Sequence, residues 1–300
     1  MNDVDILMAT YNGSKYIDSQ VFSLLSQTHK NWRLLVHDDG SSDETVEKIK
    51  KLQSMDDRII LIEDGKTFGN AGANFLHLLT FSKAEYVMFC DQDDIWFDSK
   101  IAIHLEDIKN STQPLAVYSN GYTYNGEVIT STNFINFHRT SIEDTIFLNG
   151  GIHGCCIMFN RALIRVFQDQ MPEYVFMHDH FITMAAVTFG KMKYIDKTLM
   201  LYRQHDNNVT GNVQLSFINR LKVFLDTENP VLDEKHFEAN KSFYLQYKSK
   251  LNEKQIKLFE AYLNYPRSSK FSKLRTIYSN GFKSQNQFQL LLKTLIRKAI

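Results

Sequence analysis

The chain has 300 residues, 43% of them hydrophobic, enough for a sizeable core in one large domain or a large and a small one. Thirty-four Lys and Arg balance 34 Asp and Glu, so nothing in the overall charge points to nucleic acid. No apolar run reaches the roughly 18 residues of a membrane span and no charged-then-apolar leader opens the chain, which together read as a cytoplasmic protein.

Val4 to Ala9 reads as a first strand, stopped by Thr10-Tyr11-Asn12-Gly13, with Ser14 placed to cap a helix whose Ile17, Val21, Leu24 and Leu25 share one face. Trp32 to His37 is a second strand ending in Asp38-Asp39-Gly40. Ser41 and Glu44 then form a capping-box pattern ahead of a helix marked by Val46, Ile49 and Leu52. Arg58 to Ile62 makes a third strand, 65–72 a glycine-bearing loop and Ala73 to Ser82 a helix. Tyr86 to Cys90, apolar and rich in β-formers, is the fourth strand. Strand and helix alternate, which predicts parallel strands with helices on both faces and a ligand site beyond the strands' carboxyl ends.

That fourth strand breaks within one residue into Asp91-Gln92-Asp93-Asp94. A helix cap needs one or two such residues. Three carboxylates this close repel, and one takes up a proton unless a cation sits among them. On an extended segment Asp91 and Asp93 point to the same side and can converge on a hard cation of the Mg2+ or Mn2+ kind. Three strand ends thus offer polar ligand-type residues to one place: Thr10-Tyr11-Asn12, Asp38-Asp39 and Asp91 to Asp94. No G-x-G-x-x-G follows the first strand and no G-x-x-x-x-G-K-[ST] occurs, so a bound nucleotide would have its phosphates met by a metal.

The second half reads differently. Leu115 to Ser119 is a strand, and Asn125-Gly126-Glu127 turns a hairpin between 121–124 and 128–129. Gly150 to Gly154 leads into a short strand at 155–159 and a helix at 161–168. His178-Asp179-His180 opens a helix that Gly190 ends; short strands at 192–195 and 199–202 precede a polar stop at 203–208. Asp179 suits either a dipole-stabilised cap or a general base. His205 suits either a surface position or the completion of a metal shell alongside carboxylates. Cys90, Cys155 and Cys156 form no metal-ligand spacing and read as reduced thiols.

Beyond about residue 212 the pattern turns helical. From Lys241 onward thirteen Lys and Arg stand against two Glu. A basic tail on an acidic body suggests an anionic surface, and the amphipathic run at 288–298 fits either core packing or peripheral membrane contact.

With these motifs in view the chain resembles a known family. The run ILMATYNGSKYIDSQVFSLLSQTHKNWRLLVHDDGSSDET resembles the opening of inverting family 2 glycosyltransferases of the GT-A fold. MFCDQDDIWFDSK is similar to their D-x-D segment in a bacterial rhamnosyltransferase branch, as are MHDHFITMAAVTFGKMKYID and LYRQHDNNVTG to its acceptor and closing segments. The resemblance spans residues 3 to 211 and implies a fold of α/β class, with a mostly parallel nucleotide-binding sheet flanked by helices, to which the residue pattern adds a basic helical extension at 212–300. It divides 1–211 into a nucleotide-binding half (1–110) and an acceptor half (111–211).

Carried over by position, the resemblance implies that Thr10, Tyr11 and Asp39 hold a pyrimidine base, supported by Asp38. Asp91 faces ribose or sugar, with Gln92 also on the nucleotide. Asp93, with Asp94 adjacent, binds Mn2+ or Mg2+ and the diphosphate, and His205 closes over the metal. Asp179 is the general base. Asn70 and Asn74 fall where the family contacts the donor, although Arg or Lys is common there. His178 stands where the family commonly has an acid, and Trp96, Gly154, His178 and His180 lie on the acceptor side. The implied reaction transfers a sugar, L-rhamnose from dTDP-L-rhamnose, to a hydroxyl of a bacterial surface polysaccharide or lipid-linked precursor. A UDP-hexose donor and a non-catalytic nucleotide-sugar or glycan-binding module are the alternatives. A sugar-1-phosphate nucleotidylyltransferase lacks support, since 10–14 has no glycine- and arginine-rich loop.

Overall fold

A computed structural model describes residues 3–132, 135–205 and 226–300. Strands β1 (Val4–Thr10), β2 (Trp32–Asp38), β3 (Ile59–Leu61) and β4 (Tyr86–Phe89) are mutually parallel, in spatial order β3-β2-β1-β4. Helices α1 (Ile17–Leu25), α2 (Thr45–Met55) and α3 (Ala71–Phe81) connect them. Val4, Ile6, Leu7 and Met8 of the central strand are all buried, the near-continuous apolar run of a strand covered on both faces.

The sheet continues through β8 (Ile157–Asn160), β6 (Leu115–Tyr124), β9 (Lys191–Arg203) and β5 (Ile95–Trp96), nine strands among the described residues once β7 (Ile129–Ser131) is counted on β6. This part of the sheet is mixed: β8 runs antiparallel between β4 and β6, and β5 is antiparallel to β9. Two long strands replace four short ones. The stretch 115–124 is one strand with irregular register, and 191–203 is another, because the two pair in parallel along most of their length. Helices α4 (Lys100–Ile108), α5 (Arg161–Phe167) and α6 (His178–Phe189) complete this half.

Two predicted caps differ. Ser14 is not a helix cap; its amide donates to Asp43, and Tyr16 precedes α1 with no side-chain cap. No capping box forms at Ser41, whose hydroxyl donates to Asp38 Oδ2 at 2.6 Å. Both serines answer to the strand-end loops, because those loops need their hydrogen bonds more than exposed helix ends do.

Helices α7 (Glu234–Tyr247), α8 (Glu253–Asn264), α9 (Lys270–Asn280) and α10 (Gln287–Ile296) form the basic region. Its first half shares the core of the body. Phe147 packs edge-on to Tyr262 and Tyr265 at 5.2 and 5.0 Å, and His180 of α6 meets Asn240 of α7 at 2.8 Å. The boundary near 211, the end of the polar stop and the last part of LYRQHDNNVTG lie outside the described residues. All three cysteines are buried and free.

Candidate active site

Parallel pairing sets the site. Thr10 lies opposite Asp38 and Leu7 opposite Phe89, so the segments following β1, β2 and β4 leave the sheet side by side. They floor a cleft of about 980 Å3, closed from the other side by residues 153–154, the start of α6 and His205. Thr10, Tyr11, Asp39, Asn70, Asn74, Asp91, Gln92, Asp93, Gly154, His178, Asp179 and His205 all line it. Residues separated by up to 195 positions in the chain therefore share one cavity, in which Thr10 to Asn12, Asp39 and Asp91 to Asp93 of the three strand ends meet residues of the second half.

Many of these side chains are already engaged. Asp38 does not line the cleft; it ties the loop, accepting from Thr10 Oγ1 at 2.7 Å and from the amides of Gly40 and Ser41. Asp39 accepts from the amides of Phe68 and Asn70, which leaves each oxygen one further lone pair for a ligand. Gln92 grips the backbone of Tyr11 both ways, each bond 3.0 Å, and holds that exposed ring at the cleft mouth. Asn70 caps α3 by accepting from the Ala73 amide through Oδ1, and Asn74 is spent at both ends on His37, so Asn74 shapes the wall while the Asn70 NH2 group has no partner among the described residues.

The acidic turn differs from its prediction in one respect. Gln92 and Asp93 sit in a turn, not an extended run, so the turn rather than the pleat turns Asp91 and Asp93 toward the cleft. Burial, reinforced by the neighbouring Asp93 charge, pushes the Asp91 carboxyl up to about 7. Asp94 turns into the body: Oδ1 accepts from the Arg203 amide at 3.0 Å, while Oδ2 is buried without a hydrogen-bond partner. Burial and then the charges of Asp91 and Asp93 raise its carboxyl well above the usual range. Oxygens of Asp91 and Asp94 lie within 4.8 Å of each other and of Cys155 Sγ. An orphaned oxygen within a group of mutually repelling carboxyls is what a divalent metal relieves, so these oxygen donors fit Mn2+ or Mg2+. His205 Nε2 meets Asp93 Oδ2 at 2.7 Å and its ring stacks on Tyr16.

Asp179 sits in the first turn of α6, where the helix dipole favours negative charge. Its Oδ1 accepts from the His180 amide at 2.6 Å. Apart from its cleft side it is ringed by protein, and burial pushes the carboxyl up to about 6, opposed by that amide bond and the Arg139 guanidinium. A carboxylate of this kind is a better proton acceptor than an exposed one, yet is ionised at neutral pH. His178 beside it packs on Phe75 and Phe89, ring centroids 4.0 and 4.6 Å away. Neither of its nitrogens has a partner, and burial lowers it to about 3, so it is a neutral ring at the cleft wall. The glycines opposite are sterically required: a Cβ on Gly154 would come 2.4 Å from His178 Nε2, and one on Gly151 would meet the Asp179 backbone at 2.5 Å.

Two acceptor-side expectations are corrected. Trp96 is buried with Lys100 over its face at 4.1 Å, and His180 is buried against Asn240; neither lines the cleft, because each completes the core behind it. Conversely, several neighbours were not foreseen. Lys100 is buried, donates to the Cys155 carbonyl at 2.6 Å and offsets the charge of Asp91 and Asp94. Arg139, also buried, donates to the Gly150 carbonyl while its Nε has no partner. Arg203 Nε donates to the Asp93 carbonyl at 2.7 Å, and His153 and Tyr202 join the lining. Only Arg203 had a signal in the sequence, its place two residues before His205.

Comparison with known proteins agrees with this geometry. The model for glycosyl transferase family 2 matches residues 5–167. The dTDP-rhamnosyl transferase RfbG of Shigella flexneri is 30% identical over 231 residues, covering 72% of this chain and 77% of that protein. A UDP-Glc:alpha-D-GlcNAc-diphosphoundecaprenol beta-1,3-glucosyltransferase, WfgD of Escherichia coli, is 28% identical over 76% of this chain and 88% of its own length. Among solved structures, S. aureus TarS 1–349 in complex with UDP-GlcNAc superposes with a TM-score of 0.59 at 17% identity, over 93% of this chain and 80% of that one, a likeness of fold. Family match, relative and cleft agree: the chain belongs to glycosyl transferase family 2 and is a glycosyltransferase of the GT-A fold.

Proposed function

We propose that this enzyme transfers L-rhamnose from dTDP-L-rhamnose, with inversion, to a hydroxyl of a bacterial surface polysaccharide or its lipid-linked precursor. The observation that carries the reading is the meeting of Asp39, Asp93 and Asp179 in one cleft. The donor follows the 30% identity to a dTDP-rhamnosyl transferase. A UDP-hexose donor is the second reading, supported by the relative named for UDP-Glc.

On this reading Asp39 accepts a hydrogen bond from the imide N–H of the base, a contact only an acceptor makes, and the Tyr11 ring covers the base. Asp91, Asp93 and Asp94 would hold Mn2+ or Mg2+, with His205 fixing Asp93. When bound, that ion stabilises the charge of the leaving diphosphate as a Lewis acid. Asp179 takes the proton of the acceptor hydroxyl as its oxygen attacks the anomeric carbon opposite the departing diphosphate. Arg139 keeps that carboxyl ionised, and the neutral His178 ring, packed on Phe75 and Phe89, backs the cleft wall beside it. Fixing donor and acceptor in one cleft removes much of the entropic barrier. No covalent enzyme intermediate is needed.

A peripheral membrane role goes with a lipid-linked acceptor. Among the described residues no helix is long and apolar enough to cross a membrane. Phe271 and Tyr278 of α9, and Phe288 and Leu295 of α10, are exposed, each pair seven residues apart on one side of its helix. With Lys270, Lys273, Arg275 and Lys283 nearby in sequence, they suit an anionic interface. The deciding experiment is a panel of dTDP- and UDP-sugars screened by thermal shift with Mn2+ and then by transfer assay. Stabilisation and turnover with dTDP-L-rhamnose are expected; preference for a UDP-hexose would move the reading to its alternative.

A further inference from the structure

Outside the acid cluster, a second group of ligand-type side chains lies under the nucleotide half of the cleft. His37 ends β2, Asp64 lies in the loop after β3, and His77 is in the middle of α3; one ligand atom from each lies within 4.8 Å of the others. Hydrogen bonding fixes the tautomer of His37. The Asn74 amide nitrogen donates to the His37 carbonyl at 3.2 Å, so Asn74 Oδ1 is the atom facing His37 Nδ1 at 2.7 Å. Turning the amide over would set two oxygens against each other. Nδ1 therefore carries the proton, and Nε2 faces Asp64 Oδ1 at 3.2 Å. In a neutral ring that is a lone pair aimed at a carboxylate. Something positive belongs between them.

The other oxygen of Asp64 meets His77 Nε2 at 2.6 Å, and the two imidazoles stand nearly perpendicular, centroids 5.1 Å apart. Phe68 and Phe81 border His77 at 4.9 and 5.1 Å, an apolar collar. We propose that His37, Asp64 and His77 form a divalent-cation site of the kind zinc takes, separate from the catalytic acids, which clips the end of β2, the 62–70 loop and α3 together. Two imidazoles and one carboxylate leave a fourth position for water, and bonds near 2.1 Å space tetrahedral ligand atoms about 3.4 Å apart. The two rings now meet different oxygens of Asp64, Oδ1 for His37 at 3.2 Å and Oδ2 for His77 at 2.6 Å, and rotation of the partly exposed Asp64 turns one oxygen toward both. The Asn74 bond to Nδ1 is the outer-shell support that metal-bound histidines use. Lys66, exposed, with its ammonium 3.9 Å from Asp64, is the competing cation and swings off. The consequence reaches the donor pocket. Asp39 lies two residues beyond His37 and is held by amides of the same 62–70 loop.

The test is a Co2+ titration of the untagged, chelator-treated chain, with Asp93→Ala as the background in which the catalytic acid set is broken. A 1:1 tetrahedral-type visible band that Zn2+ abolishes is expected in the wild type and in Asp93→Ala. Adding Asp64→Asn to Asp93→Ala should lower the affinity about 100-fold or more. Zn2+ should also raise the unfolding temperature of Asp93→Ala and raise that of the double variant Asp64→Asn/Asp93→Ala clearly less. No band in Asp93→Ala, an octahedral-type spectrum, or equal binding by Asp93→Ala and Asp64→Asn/Asp93→Ala overturns the site.

Discussion

Replacing Asp179 by Asn separates what this carboxyl does for the reaction from what it costs the fold. Asn keeps the shape and the oxygen that accepts from the His180 amide, and removes the charge. Burial holds the native carboxyl at about 6, against about 3.8 when exposed. That gap of about two units corresponds to about 3 kcal/mol by which the ionised form is disfavoured, nearer 2 once solvent in the cleft is allowed for. The sign follows from proton linkage. Because the folded pKa is raised, the wild type has its full stability below about pH 4, loses it progressively between about pH 4 and 6, and is level above that. Urea unfolding should therefore find Asp179→Asn more stable than wild type by about 2–3 kcal/mol at pH 7.5 and no more stable at pH 4. Transfer by the variant should fall by roughly 100- to 10,000-fold, the contribution of a general base, while donor binding by calorimetry persists. A variant that gains nothing at pH 7.5, or gains equally at both pH values, refutes the burial account. One with wild-type turnover removes Asp179 from the base role.

Arg139→Met takes away the guanidinium that opposes the upward shift of Asp179. The acidic limb of kcat/KM should move up by about one unit, and an unmoved limb would show that Arg139 acts only on the 150 loop. Asp93→Ala should weaken nucleoside diphosphate binding at least about tenfold in the presence of Mn2+ and leave metal-free binding unchanged, as calorimetry can read. Phe271→Ser combined with Phe288→Ser, both at exposed positions, should reduce flotation with anionic liposomes without lowering the unfolding temperature. Equal flotation would place the acceptor contact elsewhere.

The nucleotide half of the fold and its cleft were legible in the sequence because both depend on local pattern. Apolar runs such as Val4 to Ala9 and Tyr86 to Cys90 mark buried strands, and the polar residues that stop them must emerge at one edge once the strands are parallel. Thr10, Asp39, Asp91, Asp93 and Asp179 were found this way or through the family resemblance that ordered them. What the sequence could not carry is which side chains are already occupied. Asn74 is spent on His37 and Gln92 on Tyr11, 37 and 81 positions away, while Trp96 and His180 turn from the cleft into the core. Lys100 and Arg139 tune the acids from beneath, through low-dielectric contacts that leave no periodicity or spacing behind them. A short-range pattern fixes where a strand ends and what chemistry it presents. Whether a given carboxyl or amide is free to use that chemistry depends on partners that only the folded chain brings within 3 Å.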